Sequence, residues 1–303
     1  MNSIGNRFRL STFGESHGVA VGGIIDGCPA GIALDKALIT AELRRRRDGD
    51  GSANVTTRHE DDEVEWLSGL LEGVTLGTPL AFLIGNHDCR PEDYEPLRDL
   101  CRPGHADYTY MAKYGIRDHR GGGRASGRET AARVVAGAVA KQLLAPQGIA
   151  FSTRSEGHLI TCTVSGLPAG IGDPVFDRLD ARLAYAMISI PSAMTFAMGD
   201  TPDAYLLPRA DYPDAWRQDG EGDTLTLTNH CGGIQGGISN GMPIVFHVGF
   251  HLPPTNPHGM QCRDNNGGLH TVALHGRHDQ NHLSRLPVIV EAMAAITIAD
   301  LII

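Results

Sequence analysis

The chain has 303 residues, 41% of them hydrophobic and 20% charged, which is ordinary for a soluble globular protein of one large domain or two medium ones. Its net charge of -9 argues against a general nucleic-acid binder, which would carry a broad basic face, so any anionic ligand must be held by local arginine clusters. Six scattered cysteines with no C-x-x-C pair read as the reduced thiols of a cytoplasmic protein, and the opening "MNSIGNRFRL" lacks the apolar stretch of a signal peptide.

Taken in chain order, "TFGESHG" (12–18) is a polar turn that puts Ser16 and His17 between glycines, where backbone and ligand can approach closely. Residues 19–28 read as a buried strand. Residues 35–52 read as a helix capped by Asp35, with arginines in its last turn where cations suit the dipole. Residues 63–88 read as two strands around "EGVTLGTP". Residues 86–127 are a long polar stretch whose tyrosines argue against disorder, so it is expected to be functional. "RETAARVVAGAVAKQLLA" (128–145) is the clearest helix. A second is expected over 173–190, capped by Asp173, with Pro174 at its first position and Val175, Leu179, Leu183 and Met187 on one apolar face. "NHCGGIQGGISNG" (229–241) is a glycine-rich turn before an alternating strand at 243–250. The last helix starts near Pro287. Its tail "EAMAAITIADLII" is too short and interrupted to span a membrane and suits docking on a core or a subunit interface. With no repeat and no linker, one α+β domain over 1–303 fits best.

The chemistry concentrates in few places. In "RGGGRASGRET" (120–130), Ser126 and Glu129 have capping-box spacing, so a helix N-terminus follows three glycines and is flanked by Arg120, Arg124 and Arg128. Free N–H groups, the dipole and guanidinium forks together suit a phosphate. This is neither a Walker A loop nor a dinucleotide fingerprint. "LRRRR" (43–47) is either a solvated face or a second anion site. His105 lies in "CRPGHADYTY". In "GRHDQNH" (276–282), His278 and His282 have the spacing of a zinc pair if helical, but no third ligand has a recognisable spacing, so no metal is expected.

"GESHG", "RPGHADYTY", "RGGGRASGRETAARVVAGAVAK", "NHCGGIQGGISNG" and "GRHD…EAMAA" occur here in the order found in the chorismate synthase family, which the chain strongly resembles. The resemblance implies a single-domain β-α-β sandwich and a homotetramer. It implies a trans-1,4-elimination of phosphate from 5-enolpyruvylshikimate 3-phosphate, assisted by reduced FMN without net redox change. His17 matches the histidine beside the departing phosphate, His105 the histidine by the flavin ring, and Asp279 the aspartate that works with the flavin in removing the substrate proton. Arg46 and Arg128, with Ser16, match substrate positions. Arg124, Ser126, Gly236, Thr255 and Arg277 match flavin contacts, Ala125 sits among them, and His251 falls where a phosphate-binding lysine is expected.

The chain also departs from the family's pattern. A segment of several tens of residues is missing between "FSTRSEG" and "HLITCTV", which should delete a helix and part of a sheet. The "RRRPG" proline is Asp48, a substrate arginine falls at Ser52, "RSS" is "RAS", the lysine of "VKG" falls at Met194, and "HDPC" is "HDQN". Besides a minimal chorismate synthase, two other readings stand: a paralogue that binds FMN or an enolpyruvyl phosphate with altered or no catalysis, and, more remotely, a metal-binding or structural protein.

Overall fold

The computed structural model describes residues 1–49, 60–218, 224–254, 259–273 and 282–303. The first sheet is antiparallel and runs in the order β1-β2-β3-β5-β4, with β1 Ser3–Ile4, β2 Arg9–Gly14, β3 Ala20–Asp26, β4 Val64–Trp66 and β5 Leu80–Gly85. Its register sets Leu10 opposite Ile25 and Ile25 opposite Leu80, so one face is a continuous apolar surface. Strand β5 shows the alternation most clearly, with Leu80, Phe82 and Ile84 fully buried.

The second sheet is β8-β9-β7-β6, with β6 Ala150–Glu156, β7 Leu159–Ser165, β8 Ala193–Met198 and β9 Ile244–Phe250. Strand β9 is central and buries Ile244, Phe246, Val248 and Phe250. The missing segment falls between β6 and β7, and the chain closes there directly. The two strands pair from Ser165↔Ala150 to Leu159↔Glu156, joined only by Gly157 and His158. Gly157 takes φ +58°, which a type II′ hairpin turn requires at its first central position.

The helices among the described residues are α1 Lys36–Asp48, α2 Asp107–Tyr114, α3 Thr130–Leu144, α4 Leu179–Ile188 and α5 Leu286–Ile302. Four of these five pack into the core between the sheets, and α2 lies outside it in the 86–127 stretch. Helix α3 packs on β2, β3 and β5, α5 packs on β6 and β7, and the two helices pack on each other. Their closest approach is at Gly137, where an added Cβ would lie 2.3 Å from Ala292 Cβ, so any larger residue would force the helices apart. Helix α5 is buried on every side from Leu286 to Asp300 apart from its first-turn Pro287, which explains why its sequence is apolar all round except for Glu291, Thr297 and Asp300. One hydrophobic core joins both sheets and the helices. A small satellite (Leu97, Met260, Cys262) lies under the 86–127 stretch.

Three expectations need correction. The helix expected over 173–190 begins only at Leu179: Asp173 does not cap it and Val175 is exposed. The Leu179 N–H instead donates to Gly237 O at 2.8 Å, a tertiary hydrogen bond that starts the helix where its first buried apolar residue lies. The capping box is half formed. Ser126 Oγ accepts from the Arg128 N–H, but the Glu129 carboxylate takes Thr12 Oγ1 (2.8 Å) and Arg133 Nε (2.8 Å) instead of reaching back. A buried carboxylate gains more from a cation and a hydroxyl than from one exposed N–H. The region 63–88 holds β4 and β5 as expected, with a small extra hairpin (Leu70–Leu71 with Val74–Thr75) between them.

Candidate active site

Two cavities that share Ser126, Gly127, Pro191 and His282 open where the first sheet's loops meet the start of α3. The inner one, about 130 Å³, is lined by Arg46, Arg47, Asp62, Arg128 and Arg285 among others. The outer one, about 480 Å³, is lined by His17, Tyr94, Arg102, His105, Ala125 and His251 among others.

The turn that carries His17 is closed by a Gly18 N–H to Glu15 O bond of 3.1 Å. Asn86, just past the end of β5, fastens it: its Nδ2 donates to Glu15 O (3.0 Å) and Gly18 O (2.9 Å). Ser16 is buried with its Oγ 3.2 Å from His17 Nδ1. Gly121, at φ +84°, passes so close that a Cβ there would sit 2.4 Å from His17 Nδ1, so only glycine fits the loop against the ring. On another side Tyr94 meets His17 edge-on, with ring centroids 4.9 Å apart. The Arg102 guanidinium lies 5.7 Å from the Tyr94 ring and is itself held in a buried fork by Asp107, at 2.8 and 3.0 Å.

His105 is half-buried, and its Nδ1 donates to Pro103 O at 3.0 Å, so the acceptor nitrogen is Nε2. Burial, and after it the charge of Arg102, lowers its pKa below the ordinary 6.5. At neutral pH it is therefore an uncharged imidazole, able to accept a proton.

Arg46 and Arg128 of the inner cavity each have neutral acceptors. Arg46, from the last turn of α1, donates to Thr130 Oγ1 (2.9 Å) and Gly127 O (2.9 Å). Arg128 donates to Asn86 Oδ1 (2.9 Å) and Gly85 O (3.0 Å). Asn86 thus ties the His17 turn to one of the two arginines. Both guanidiniums also reach Asp62, Arg46 at 3.5 Å and Arg128 at short range.

The structure thus gathers His17, His105, Ala125, Ser126 and His251 at the outer cavity and Arg46 and Arg128 at the inner one, while Ser16 is buried beside His17 and does not line either. His251 is exposed, with its Nδ1 turned to Leu252 O at 2.6 Å. Two residues are not brought in. Arg124 turns to the far side of the glycine loop, where it donates to Thr12 Oγ1 (2.5 Å) and Gly14 O (3.2 Å) and lines a separate groove of about 960 Å³. Gly236 lines a cavity of about 490 Å³ with Arg178, Tyr212 and Asp214. Thr255, Arg277, Asp279 and the His278 of the zinc idea lie outside the described residues. His282 is described, and its Nε2 lies 2.6 Å from Ser192 Oγ. Sequence reasoning missed Asn86, Asp62 and Tyr94. Asn86 directly ends an alternating strand, the one signal that marked it. Asp62 is one of several acids in "HEDDEVEW", and nothing singles it out.

This geometry agrees with what the chain is similar to. Residues 8–156 and 149–303 match the chorismate synthase family model. The chain belongs to the chorismate synthase family. The chorismate synthase of Porphyromonas gingivalis is 42% identical over 350 aligned positions, covering 99% of this chain and 95% of that one. That of Azobacteroides pseudotrichonymphae is 40% identical over 349 positions, covering 99% and 98%. A crystal structure of chorismate synthase overlays with a TM-score of 0.75 at 26% identity, covering 98% of this chain and 92% of the other. The two family-model segments meet within β6, and the 349 positions exceed the 303 residues here by 46, so this chorismate synthase relative lacks a stretch that the tight β6–β7 hairpin bypasses.

Proposed function

We propose that the chain catalyses the trans-1,4-elimination of phosphate from 5-enolpyruvylshikimate 3-phosphate, giving chorismate. The observation that carries this reading is the joining of the two cavities: a buried arginine pair to hold an anion, and His17 and His105 facing the adjoining space. Arg46 and Arg128 bind the substrate's anionic groups, and guanidinium forks fixed in advance cost no reorganisation. His17, immobilised between Ser16, Gly121 and Tyr94, protonates the departing phosphate, a better leaving group once its charge is reduced. His105, neutral at Nε2, relays a proton within the outer cavity. Asp279, matched to the family's proton-removing aspartate, completes the set.

The outer cavity fits FMN. Gly104, Ala125, Pro253 and Pro254 give apolar walls for a flat ring, Ser126 and His251 give polar contacts, and about 480 Å³ is in the range of cofactor pockets. Reduced FMN, when bound, supplies the electron-rich ring that eases loss of phosphate without net redox change. Ala125, Ser126 and His251, with Thr255 and Arg277 from the matched motifs, are the residues to hold it. The reading extends to a cytoplasmic homotetramer. The bare side chains of Val175, Phe176, Tyr205 and Leu206 support an assembly that would cover them, and sedimentation measures its size.

Purified protein with FMN and dithionite, kept anaerobic and given 5-enolpyruvylshikimate 3-phosphate, should release chorismate, read by absorbance. His17→Ala should lower the rate by a factor on the order of 10² to 10⁴. Flavin binding without turnover would favour a paralogue of altered catalysis, a reading supported by the exposed Met194 and His251 at two lysine positions. Absence of both flavin binding and turnover would overturn the proposal.

A further inference from the structure

The arginine pair of the inner cavity already faces an anion of the chain's own. The Asp62 side chain is 2% exposed and lies between the Arg46 and Arg128 guanidiniums. Its backbone sits at φ +52°, a left-handed conformation uncommon outside glycine and one that persists only where the surroundings enforce it. The arginines do not depend on Asp62 for their places, because Thr130, Gly127, Asn86 and Gly85 hold the other edges of both forks. Both guanidiniums and the carboxylate line the inner cavity, where an entering anion would meet them. The nearby Glu60 carboxylate is engaged by the His87 and Asp88 N–H groups, at 2.9 and 3.2 Å.

We infer that Asp62 is the resident counter-ion of the anion site. A bound phosphate or carboxylate competes with it for Arg46 and Arg128. The inference rests on reading this pair as the substrate's anion site. The physical logic has two parts. Two buried cations left without a counter-charge are costly, so a carboxylate stabilises the empty site. The same carboxylate sets a threshold for entry. A dianionic phosphate outbids a single carboxylate for two forks, while a monoanion such as acetate does not, so Asp62 turns a general cation pair into one selective for phosphate.

The test uses inorganic phosphate and acetate as probes, titrated calorimetrically against the wild-type chain, Asp62→Asn and Asp62→Gly. Asn and Gly both suit a left-handed backbone. Both variants should bind phosphate about tenfold more tightly and lose most of the preference over acetate. In the elimination assay KM should fall while kcat does not rise. A residue that merely held the arginines in place would give the reverse sign, weaker phosphate binding. Weaker or unchanged binding in folded variants overturns the inference, as does failure of both to fold in saturating phosphate, which should stand in for the missing counter-charge. Phosphate binding is read without turnover. Tighter binding with no chorismate formed would sink the proposed reaction and leave this inference standing.

Discussion

Arg45 and Arg46 are neighbours in the last turn of α1, and about 100° of helical rotation sends them into different electrostatic settings. Arg45 reaches both carboxylate oxygens of Glu291 at 2.8 Å and Glu42 at 2.7 Å. Lys141 adds a 2.6 Å contact to Glu291 and a second to Glu42, and Thr153 donates to Glu291 at 2.7 Å. Two cations meet two anions, and the cluster fastens α1, α3, α5 and β6 together. Arg46 turns the other way and, with Arg128, meets the carboxylate of Asp62. The first cluster lines neither of the two joined cavities and ties elements of the core together, so it serves the fold. The second lines the inner cavity, where an anion can reach its guanidiniums. The contrast lies in placement, since both clusters are built from the same residue types.

The comparison can be broken from the structural side first. Glu291→Ala leaves Arg45 and Lys141 with only Glu42, and should cost about 3–5 kcal/mol of stability by urea unfolding. Phosphate affinity of the folded fraction should stay unchanged, and a parallel loss of it would erase the distinction between the clusters. Burial alone would raise the Glu291 carboxyl, but Arg45 and Lys141 override it and hold the pKa at about 2, below the ordinary 4.5. A lowered folded-state value means that this stability is complete above about pH 4.5 and is lost as pH falls toward 2, a loss that the variant should lack.

Asn86→Ala acts on the binding side. It removes two ties to the His17 turn and one to Arg128, and should lower kcat/KM by about tenfold with a smaller fall in Tm than Glu291→Ala. Unchanged kinetics would mean that the turn holds itself. The smallest effect is on pH dependence. Because burial and then Arg102 lower the pKa of His105, the acid limb of kcat/KM should lie below 6.5 and disappear in His105→Gln. The unfolded chain binds the extra proton first, so stability should fall as pH drops from 6.5 toward the folded-state value, and a limb at or above 6.5 would remove His105 from this role.

Much of this was legible in the sequence. The Asp35 cap, the strands at 20–26 and 244–250 and the buried last helix follow from periodicity and capping chemistry. The motifs that carry His17, His105 and Ser126 marked loops that converge, whereas the one with Gly236 lines another cavity. "LRRRR" was ambiguous, because four consecutive arginines point all around a helix and only the packing of α3 and α5 selects which ones turn inward. The start of α4 was misread for the same kind of reason: its first turn had good local signals but no core to bury against, and Gly237 O captured Leu179 instead.

What the sequence by itself determined is local. Turn chemistry, caps, apolar alternation and the residue types able to hold phosphate or move a proton are set by neighbours within a few positions. Tertiary structure alone decided which charges meet. Asp62 meets Arg128 across 66 residues and Glu291 meets Arg45 across 246, and Arg124 is turned away from the cavity by Thr12, 112 residues distant. Coulomb energy depends on separation and burial in space, and neither is written in the spacing of residues along the chain.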